Sequence, residues 1–450
     1  MGGARVPVVV VGGGPAGLVA GLTLARSGIE TLVVDKRDGP SALSRALVVS
    51  TRGMELFRGF GVENAVRAGA PDVESTAWAG PTLAASHGTV ISLGFPSDEE
   101  AARVSPCRPA WAPQDHHEPI MLERLRREAT ATVRLGCEVT AVSQDAMGLC
   151  LVVRDDEGEY TIEAEHVIAA DGAHSIVRAQ CGIPMIGRDD LGDYERVEFR
   201  APLDDVVGTR RHALYVVAGG TVLARRGVGD RWGLSCESGG DEHRLFGRSD
   251  VALIAAIRAA AGVDDLPVAV ERVSRFSFAA QIAGRYRAGR VFLVGDAAHR
   301  MTPRGGTGMN TAIQDAFDIG WKLAWVHHGW ADDDLLDTYE PDRRPVGLHN
   351  VDRTADPDGA RRPTEEALPW DLNGRLPHVW LERAGERVST LDLIGDGITV
   401  FAAPDALEPP ALTGPPVRVE RVDAATAAAL GLTADGALTV RPDGRPFGAL

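Results

Sequence analysis

The sequence predicts an α/β protein: a Rossmann-like nucleotide-binding domain, interrupted by an antiparallel sheet and followed by a small α/β domain. Three stretches of the 450 residues predict it. Val8–Val11 is a continuous β-branched run that ends in Gly12-Gly13-Gly14-Pro15-Ala16-Gly17. Val291–Trp325, VFLVGDAAHRMTPRGGTGMNTAIQDAFDIGWKLAW, reads as strand, loop and helix. From about 183 to 280, short β-prone stretches alternate with Gly and Asp turns.

A β-branched run without polar alternation belongs to a strand buried on both faces, so Val8–Val11 opens a parallel sheet. Gly12, Gly14 and Gly17 fit GxGxxG. These glycines permit the turn, the approach of a pyrophosphate and close helix–strand packing. Pro15 is followed by a helix over Ala16–Ser27, stopped by Gly28, and its N-terminus is where a pyrophosphate would sit. Thr31–Val34 is the second strand. Asp35 at its end lies 18 positions past Gly17, close to the ~20 expected of a carboxylate that binds an adenosine ribose. The motif alone is a weak signal, but the whole strand–turn–helix–strand–acid unit is a specific one.

No second βαβ unit follows quickly, which departs from a plain dehydrogenase. Arg45, within Ser41–Ser50, can pair with a phosphate or stand as a solvated loop charge. Met54–Phe60 and Val62–Ala68 read as short helices, and Thr76–Phe95 as two strands outside the dinucleotide core. Gln114 precedes a helix over Pro119–Thr130 and can hydrogen-bond a polar ligand. His116 and His117 are adjacent, so they lack the i,i+4 spacing of a metal pair, and no metal site is read. Glu138–Ser143, Leu149–Arg154 and Tyr160–Ala169 form a meander. Asp171-Gly172 then caps a helix carrying Arg178. As a site, this turn beside the first glycine loop can serve two pyrophosphates.

Tyr194–Ala201, Ala213–Val217, Thr221–Arg226, Arg231–Ser235 and a strand near Val268–Phe278 make the inserted sheet, with a helix at Val251–Ala261. A sheet over a flat ligand is a lid for an apolar substrate. Val291–Val294 is a short buried strand that Gly295-Asp296 ends. After the loop Thr302–Gly306, a helix runs from about Thr307 through Lys322. Glycines at a helix start let backbone approach a flat ligand, the first N–H groups are unpaired donors, and the positive end stabilises an anion. Asp296 can accept hydrogen bonds from a polyol. A reduced flavin, with a ribityl chain and a ring that becomes anionic, needs all three features; a tight turn without a ligand is the plainer alternative for the loop alone. Residues 353–369 are polar and Pro-containing, a linker. Ile398–Phe401, Ala424–Leu430 and Ala437–Arg441 would build a small α/β domain.

Composition narrows the function. Hydrophobic content of 44% and charged content of 24% are those of a soluble globular protein, and no apolar run approaches a membrane span. The opening MGGARVPVVVVGGG leads straight into the glycine motif and is not a signal peptide. A net charge of −16 argues against nucleic acid as the main partner. Five cysteines without CxxC argue against a disulfide framework or zinc site, so a reducing cytoplasm is expected.

GGGPAG at Gly12–Gly17, ADGAHSIVR at Ala170–Arg178 and GDAAHRMTPRGGTGMN at Gly295–Asn310, in this order and spacing, resemble the FAD-dependent aromatic hydroxylases (para-hydroxybenzoate hydroxylase-like, group A flavoprotein monooxygenases) over about residues 5–350. Those that tailor aromatic polyketides in antibiotic biosynthesis are the most similar, and 376–450 resembles their thioredoxin-like domain, altered at its end. The resemblance implies an FAD-binding domain over 1–182 and 280–352, with 72–108 joining the substrate sheet, a substrate domain over 183–279, a linker over 353–375 and the thioredoxin-like domain over 376–450. It implies that Gly12, Gly14, Pro15, Ala16 and Gly17 hold the FAD pyrophosphate, with Asp35 and Lys36 at the adenosine ribose. Arg45 and Gln114 would lie along the phosphate and ribityl part, and Val139 near the adenine. Asp171 would serve FAD and NADPH, and Asp296 the ribityl chain. Pro303, Gly305, Gly306, Gly308, Met309 and Asn310 would run along the flavin ring, with Thr307 where relatives often carry glutamine. The implied reaction is hydroxylation of a phenol through a flavin C4a-hydroperoxide, with NADPH (or NADH) and O2 as co-substrates. No side chain is assigned as a catalytic base. Baeyer–Villiger insertion or epoxidation would share the intermediate, and a flavin-loaded binding protein without turnover is the reading from another class.

Overall fold

The computed structural model describes residues 5–238, 245–361, 363–408 and 414–447. The first four and last three residues, which the sequence reading assigns to the terminal domains, lie outside these, as do 239–244, 362 and 409–413.

The first sheet is built around Val6–Val11, whose Val8, Val9 and Val10 have no exposed surface. This strand pairs in parallel with Thr31–Asp35 on one side and with Gly158–Ala169 on the other. Val291–Leu293 and Ala131–Leu135 extend the parallel part outwards. Glu138–Gln144 and Leu149–Asp155 complete it as an antiparallel meander. Helices Pro15–Arg26 and Gly308–His327 lie against each other; Gly320 makes the approach possible, since a Cβ there would stand 2.8 Å from Thr23.

The second sheet has eight strands, in the order His299–Arg300, Ala269–Ala283, Met185–Arg200, Arg231–Glu237, Thr221–Arg225, His212–Val217, Glu74–Ala79 and Thr89–Ser92. It is antiparallel except where His212–Val217 runs parallel to Glu74–Ala79, so the expectation of a wholly antiparallel sheet is corrected at that pair. Its outer face, with Phe199, Tyr215, Leu223, Trp232 and Leu234, packs against Leu253, Ile257 and Ala261 of the helix Asp250–Ala261. Met185–Arg200 starts well before the Tyr194 read from sequence, Ala269–Ala283 runs on past Phe278, and the two pair along their length. The added half of Met185–Arg200 is polar and carries Gly187 and Gly192, which hid its strand pattern.

The C-terminal thioredoxin-like domain centres on Ile398–Ala402, paired in parallel with Val417–Arg421 and antiparallel with Ala437–Val440. Among the described residues no helix is long and apolar enough to cross a membrane.

The reading of 353–375 as a linker does not survive the structure. Helix Tyr339–Ala355 already includes Arg353, and Thr364–Leu372 is a further helix. Asp371 on it accepts from Ser50 Oγ at 2.6 Å, Gln314 Nε2 at 3.1 Å and the Arg52 N–H at 3.1 Å. Asp371 and Arg375 serve interior pairing, while Asp356, Asp358, Glu365 and Glu366 face solvent. Next to the helix, Arg375 grips buried Glu55 through Nε at 2.9 Å and Nη2 at 2.5 Å, and Arg52 adds a bond to Glu55 at 2.9 Å. Burial pushes the Glu55 carboxyl up, but the Arg375 and Arg52 charges outweigh it and hold the group below its usual 4.5. A lowered folded-state value means this stabilisation is complete above the usual glutamate range and is lost as pH falls through the lower one. Glu55→Gln, which strands two buried guanidinium groups, is expected to cost about 3–5 kcal/mol at neutral pH. Urea unfolding over a pH series checks this, and the gap from wild type should narrow below about pH 4.5.

Candidate active site

Two helix N-termini meet at the carboxyl ends of the parallel strands. Gly12 has φ +109°, and a Cβ on it would lie 2.2 Å from the Ala170 carbonyl oxygen. A Cβ on Gly17 would lie 1.8 Å from the Gly12 oxygen, so the first helix seats on the turn only with glycine there. Gly14 instead faces open space. It caps a helix that has Pro15 in its first turn, buried Ala16 next, no side-chain cap and no acidic residue in that turn. The helix Gly308–His327 likewise starts without a side-chain cap, at Thr307. Gly295 lies between the two, its Cβ position 3.4 Å from Ala16 and 3.0 Å from Ala312. Unpaired N–H groups of both helices therefore flank the loop that carries Asp296, and each favours negative charge.

Asp296 is exposed, yet protein surrounds it closely enough for desolvation to raise its pKa, against the charges of His299, Arg45 and Arg300. Such a group stands on the floor of a cleft. Arg45 is exposed but close enough to act on it. Asp171 is pushed up by burial; its Oδ2 accepts from the Val177 N–H at 3.1 Å, while Oδ1 is buried with no hydrogen-bond partner. Arg178 ties this turn to the Asp296 loop by donating to the Ala297 oxygen at 3.1 Å.

Asp35 occupies the end of the second strand, but its carboxylate is already committed. Oδ2 accepts from the Gly13 N–H at 2.5 Å and from Arg37 Nη2 at 2.9 Å; Oδ1 accepts from the Arg37 N–H at 2.7 Å and Nε at 3.0 Å. Burial opposes ionisation and these bonds outweigh it, so Asp35 is held below the usual range. In this arrangement Asp35 fixes the turn, and a ribose would have to displace one of these bonds. Lys36 is exposed; Arg37, passed over in the sequence, is the cation that matters here. Arg37 also reaches fully buried Glu118 at 2.9 Å, and Glu118 accepts from Gln114 Nε2 at 2.7 Å and the Ser41 N–H at 2.7 Å. Glu118 lies one helical turn beyond Gln114, a spacing visible in the sequence. Val139 is a core residue of the meander, so its side chain contributes packing.

In the other loop, Pro303 is exposed, and Gly305 and Gly306 take φ +78° and +61°. A Cβ on Gly306 would fall 2.7 Å from Val48 and 3.3 Å from Phe95. Gly308 opens the helix, and Met309 packs against the main core. Asn310 is a buried clamp: Oδ1 accepts from the Ser50 N–H at 2.8 Å, and Nδ2 donates to the Val48 and Gly306 oxygens at 3.1 and 2.8 Å. It holds the loops 47–50 and 303–306 together.

The inner face of the second sheet looks onto these loops. One row across it runs Ile91, Ala77, Leu214, Ala224, Gly233, Glu198, Arg272, and the next Thr89, Ala79, Val216, Val222, Ser235, Arg196, Ser274. Its apolar end packs with Leu47, Val48, Phe95 and Trp111; at its polar end Arg196 and Arg272 donate to the Ser44 and Ala42 oxygens at 3.2 and 3.0 Å. A small pocket opens beside the loop, lined by Phe95, Thr307, Asn310, Gln314, Asn350 and Asp371 among others. The sequence reading named none of this sheet's contact residues, because register between distant strands sets the face.

The residues fit an extended flavin dinucleotide: open space at Gly14 and an uncapped helix for a pyrophosphate, Asp296 in a cleft for a polyol, and a second uncapped helix for an anionic ring. Comparison with known proteins agrees. A family model described as FAD binding domain matches residues 5–354. A tetracenomycin A2 monooxygenase-dioxygenase of Streptomyces glaucescens is 35% identical, covering 98% of this chain and 92% of that protein. An aklavinone 12-hydroxylase of Streptomyces purpurascens is 32% identical, covering 98% and 94%. The crystal structure of aklavinone-11 hydroxylase with FAD and aklavinone superposes with a TM-score of 0.87 at 28% identity, covering 100% of this chain and 96% of that one. Asp296→Ala removes a charged acceptor worth about 1.5–3 kcal/mol. It is expected to weaken FAD binding about 10- to 100-fold while the fold persists, as measured by flavin fluorescence titration alongside circular dichroism.

Proposed function

We propose that this chain, which belongs to the FAD binding domain family, hydroxylates a planar polycyclic phenol of the aromatic polyketide type, using NADPH or NADH and dioxygen. That it is an FAD-dependent monooxygenase is common ground with its relatives. One observation supports the substrate class. The apolar end of the inner sheet face, with Ala77, Ile91, Leu214 and Val216, packs near Trp111 and Phe95. An apolar face beside a wall of rings suits a flat, apolar molecule.

Bound FAD supplies the two-electron chemistry that links nicotinamide oxidation to dioxygen. The chain does the rest. Gly12, Gly14 and Gly17 with the first helix would hold the pyrophosphate, and Asp296 the ribityl hydroxyls. The uncapped N–H groups at Gly308–Asn310 would stabilise negative charge on the ring edge. Asn310, tying loops 47–50 and 303–306, keeps that edge in place, and the apolar face keeps water from the reacting carbon. At its polar end Ser235, whose Oγ accepts from Arg196 Nε at 3.1 Å, keeps a hydroxyl to donate to the oxygens of a phenolic ring system.

The test is turnover of a hydroxylated anthraquinone or naphthacenequinone with NADPH under isotopically labelled dioxygen, followed by mass spectrometry. The expected product carries one labelled oxygen as a new ring hydroxyl, with nucleotide consumed in equal amount. A lactone or epoxide, or hydrogen peroxide alone across the panel, would overturn the proposed reaction.

A further inference from the structure

The described residues include no separate nucleotide-binding fold for the reductant, yet the reaction needs it brought to the flavin. We propose that the nicotinamide dinucleotide docks at the cationic end of the cleft, its ring on the platform formed by Tyr194, Phe276 and Phe278 and its phosphates between Arg196 and Arg304. This rests on the monooxygenase reading of the site.

The platform is a ring stack on two neighbouring strands. Tyr194 lies on Phe278 with centroids 3.8 Å apart and planes 17° from parallel, and Phe276 continues it at 6.1 Å and 19° from Tyr194. Tyr194 and Phe276 are half-buried, so part of each ring faces the cleft, while Phe278 is buried and backs them. A guanidinium lies over each phenylalanine ring: Arg196 is 4.9 Å from the Phe276 centroid, and Arg304 is 5.7 Å from that of Phe278 and 3.3 Å from the Tyr194 hydroxyl. Arg304 belongs to the loop that would line the flavin ring, so a molecule on the platform abuts the cofactor.

Charge and distance point to a nucleotide rather than the phenol. In a chain of net charge −16, a dianionic ligand away from the helix N-termini is favoured where cations cluster. Of the nearby acids, Asp193 pairs with Arg275 at 2.6 Å, Glu198 pairs with Arg272 at 3.1 Å and buried Glu195 accepts from the Leu245 and Phe246 N–H groups, while exposed Glu237 stands opposite Tyr194 on the next strand. Guanidinium groups beside stacked rings serve both halves of a dinucleotide, the planar fork on phosphate and the ring face on the base. A neutral phenol uses neither cation fully. The apolar end of the face, at Leu214 and Val216, is three strands from Tyr194, about 14 Å. One cleft thus has two separate ends.

The experiment is anaerobic stopped-flow reduction of the FAD-loaded enzyme over a range of NADPH and NADH concentrations. Tyr194→Leu and Phe276→Leu are expected to raise the dissociation constant of the preferred nucleotide about tenfold, the effect of losing one stacking face. Tyr194→Phe should restore it. Arg304→Gln should raise it and flatten its dependence on ionic strength. Dissociation of a phenolic probe, by fluorescence, should be unchanged in the Tyr194 and Phe276 variants, and flavin content reports folding. Unchanged nucleotide constants in flavin-loaded variants, or weakened phenol binding instead, would overturn the docking site. A wild-type enzyme that neither nucleotide reduces would overturn the monooxygenase reading, and the docking site with it.

Discussion

The site depends on backbone approaching backbone closer than side chains allow. With only a hydrogen on Gly17, the first helix can lie against the Gly12 carbonyl; Gly12 itself sits against Ala170, and Gly295 between Ala16 and Ala312. These contacts bring three strand ends and two helix starts into one small volume. Donors left unpaired at the helix starts then become a matched set for an elongated anion. No charged side chain is needed for most of that recognition, which is compatible with a strongly acidic chain holding a phosphorylated ligand.

Buried ion pairs keep these parts in register. Asp315 accepts from His299 at 2.7 Å and from Arg343 Nε at 2.8 Å, and those charges hold it ionised against the cost of burial. It links the strand of His299 to the helix that starts at Gly308 and to helix Tyr339–Ala355. Such pairs add little net stability over an apolar core but penalise every wrong arrangement. The Glu55–Arg375 pair does the same between the cofactor domain and the chain beyond it. The cleft is therefore framed by rigid elements, while the residues facing it, Arg45, Asp296, Tyr194 and Arg304, remain accessible.

Much of this was legible because it is local. The glycine turn, its helix and Asp35 lie within one short stretch, as do Gly295, Asp296 and the helix beyond them. What was not legible is non-local. Arg37 meets Glu118 across 81 positions, and Arg375 meets Glu55 across 320. The polar composition of 353–375 looked like solvation throughout because the partners of Asp371 and Arg375 could not be seen. The inner face of the second sheet follows from pairing Glu74–Ala79 with His212–Val217, which no periodicity announces. One miss was avoidable: Ser97 and Glu100 form a capping box at the head of helix Asp98–Val104, a signature readable from spacing alone.

The attachment of helix Thr51–Gly59 bears on how the protein is made. The loop before that helix lines the cleft, yet its neighbours come from the far end of the chain: Asp371 on Ser50, Arg375 on Glu55, and the Asp443 carbonyl accepting from Arg52 at 2.7 Å. Synthesis delivers the glycine turn more than 300 positions before these partners. Until they emerge, one wall of the cleft lacks its braces, so closing that wall is a late event in folding.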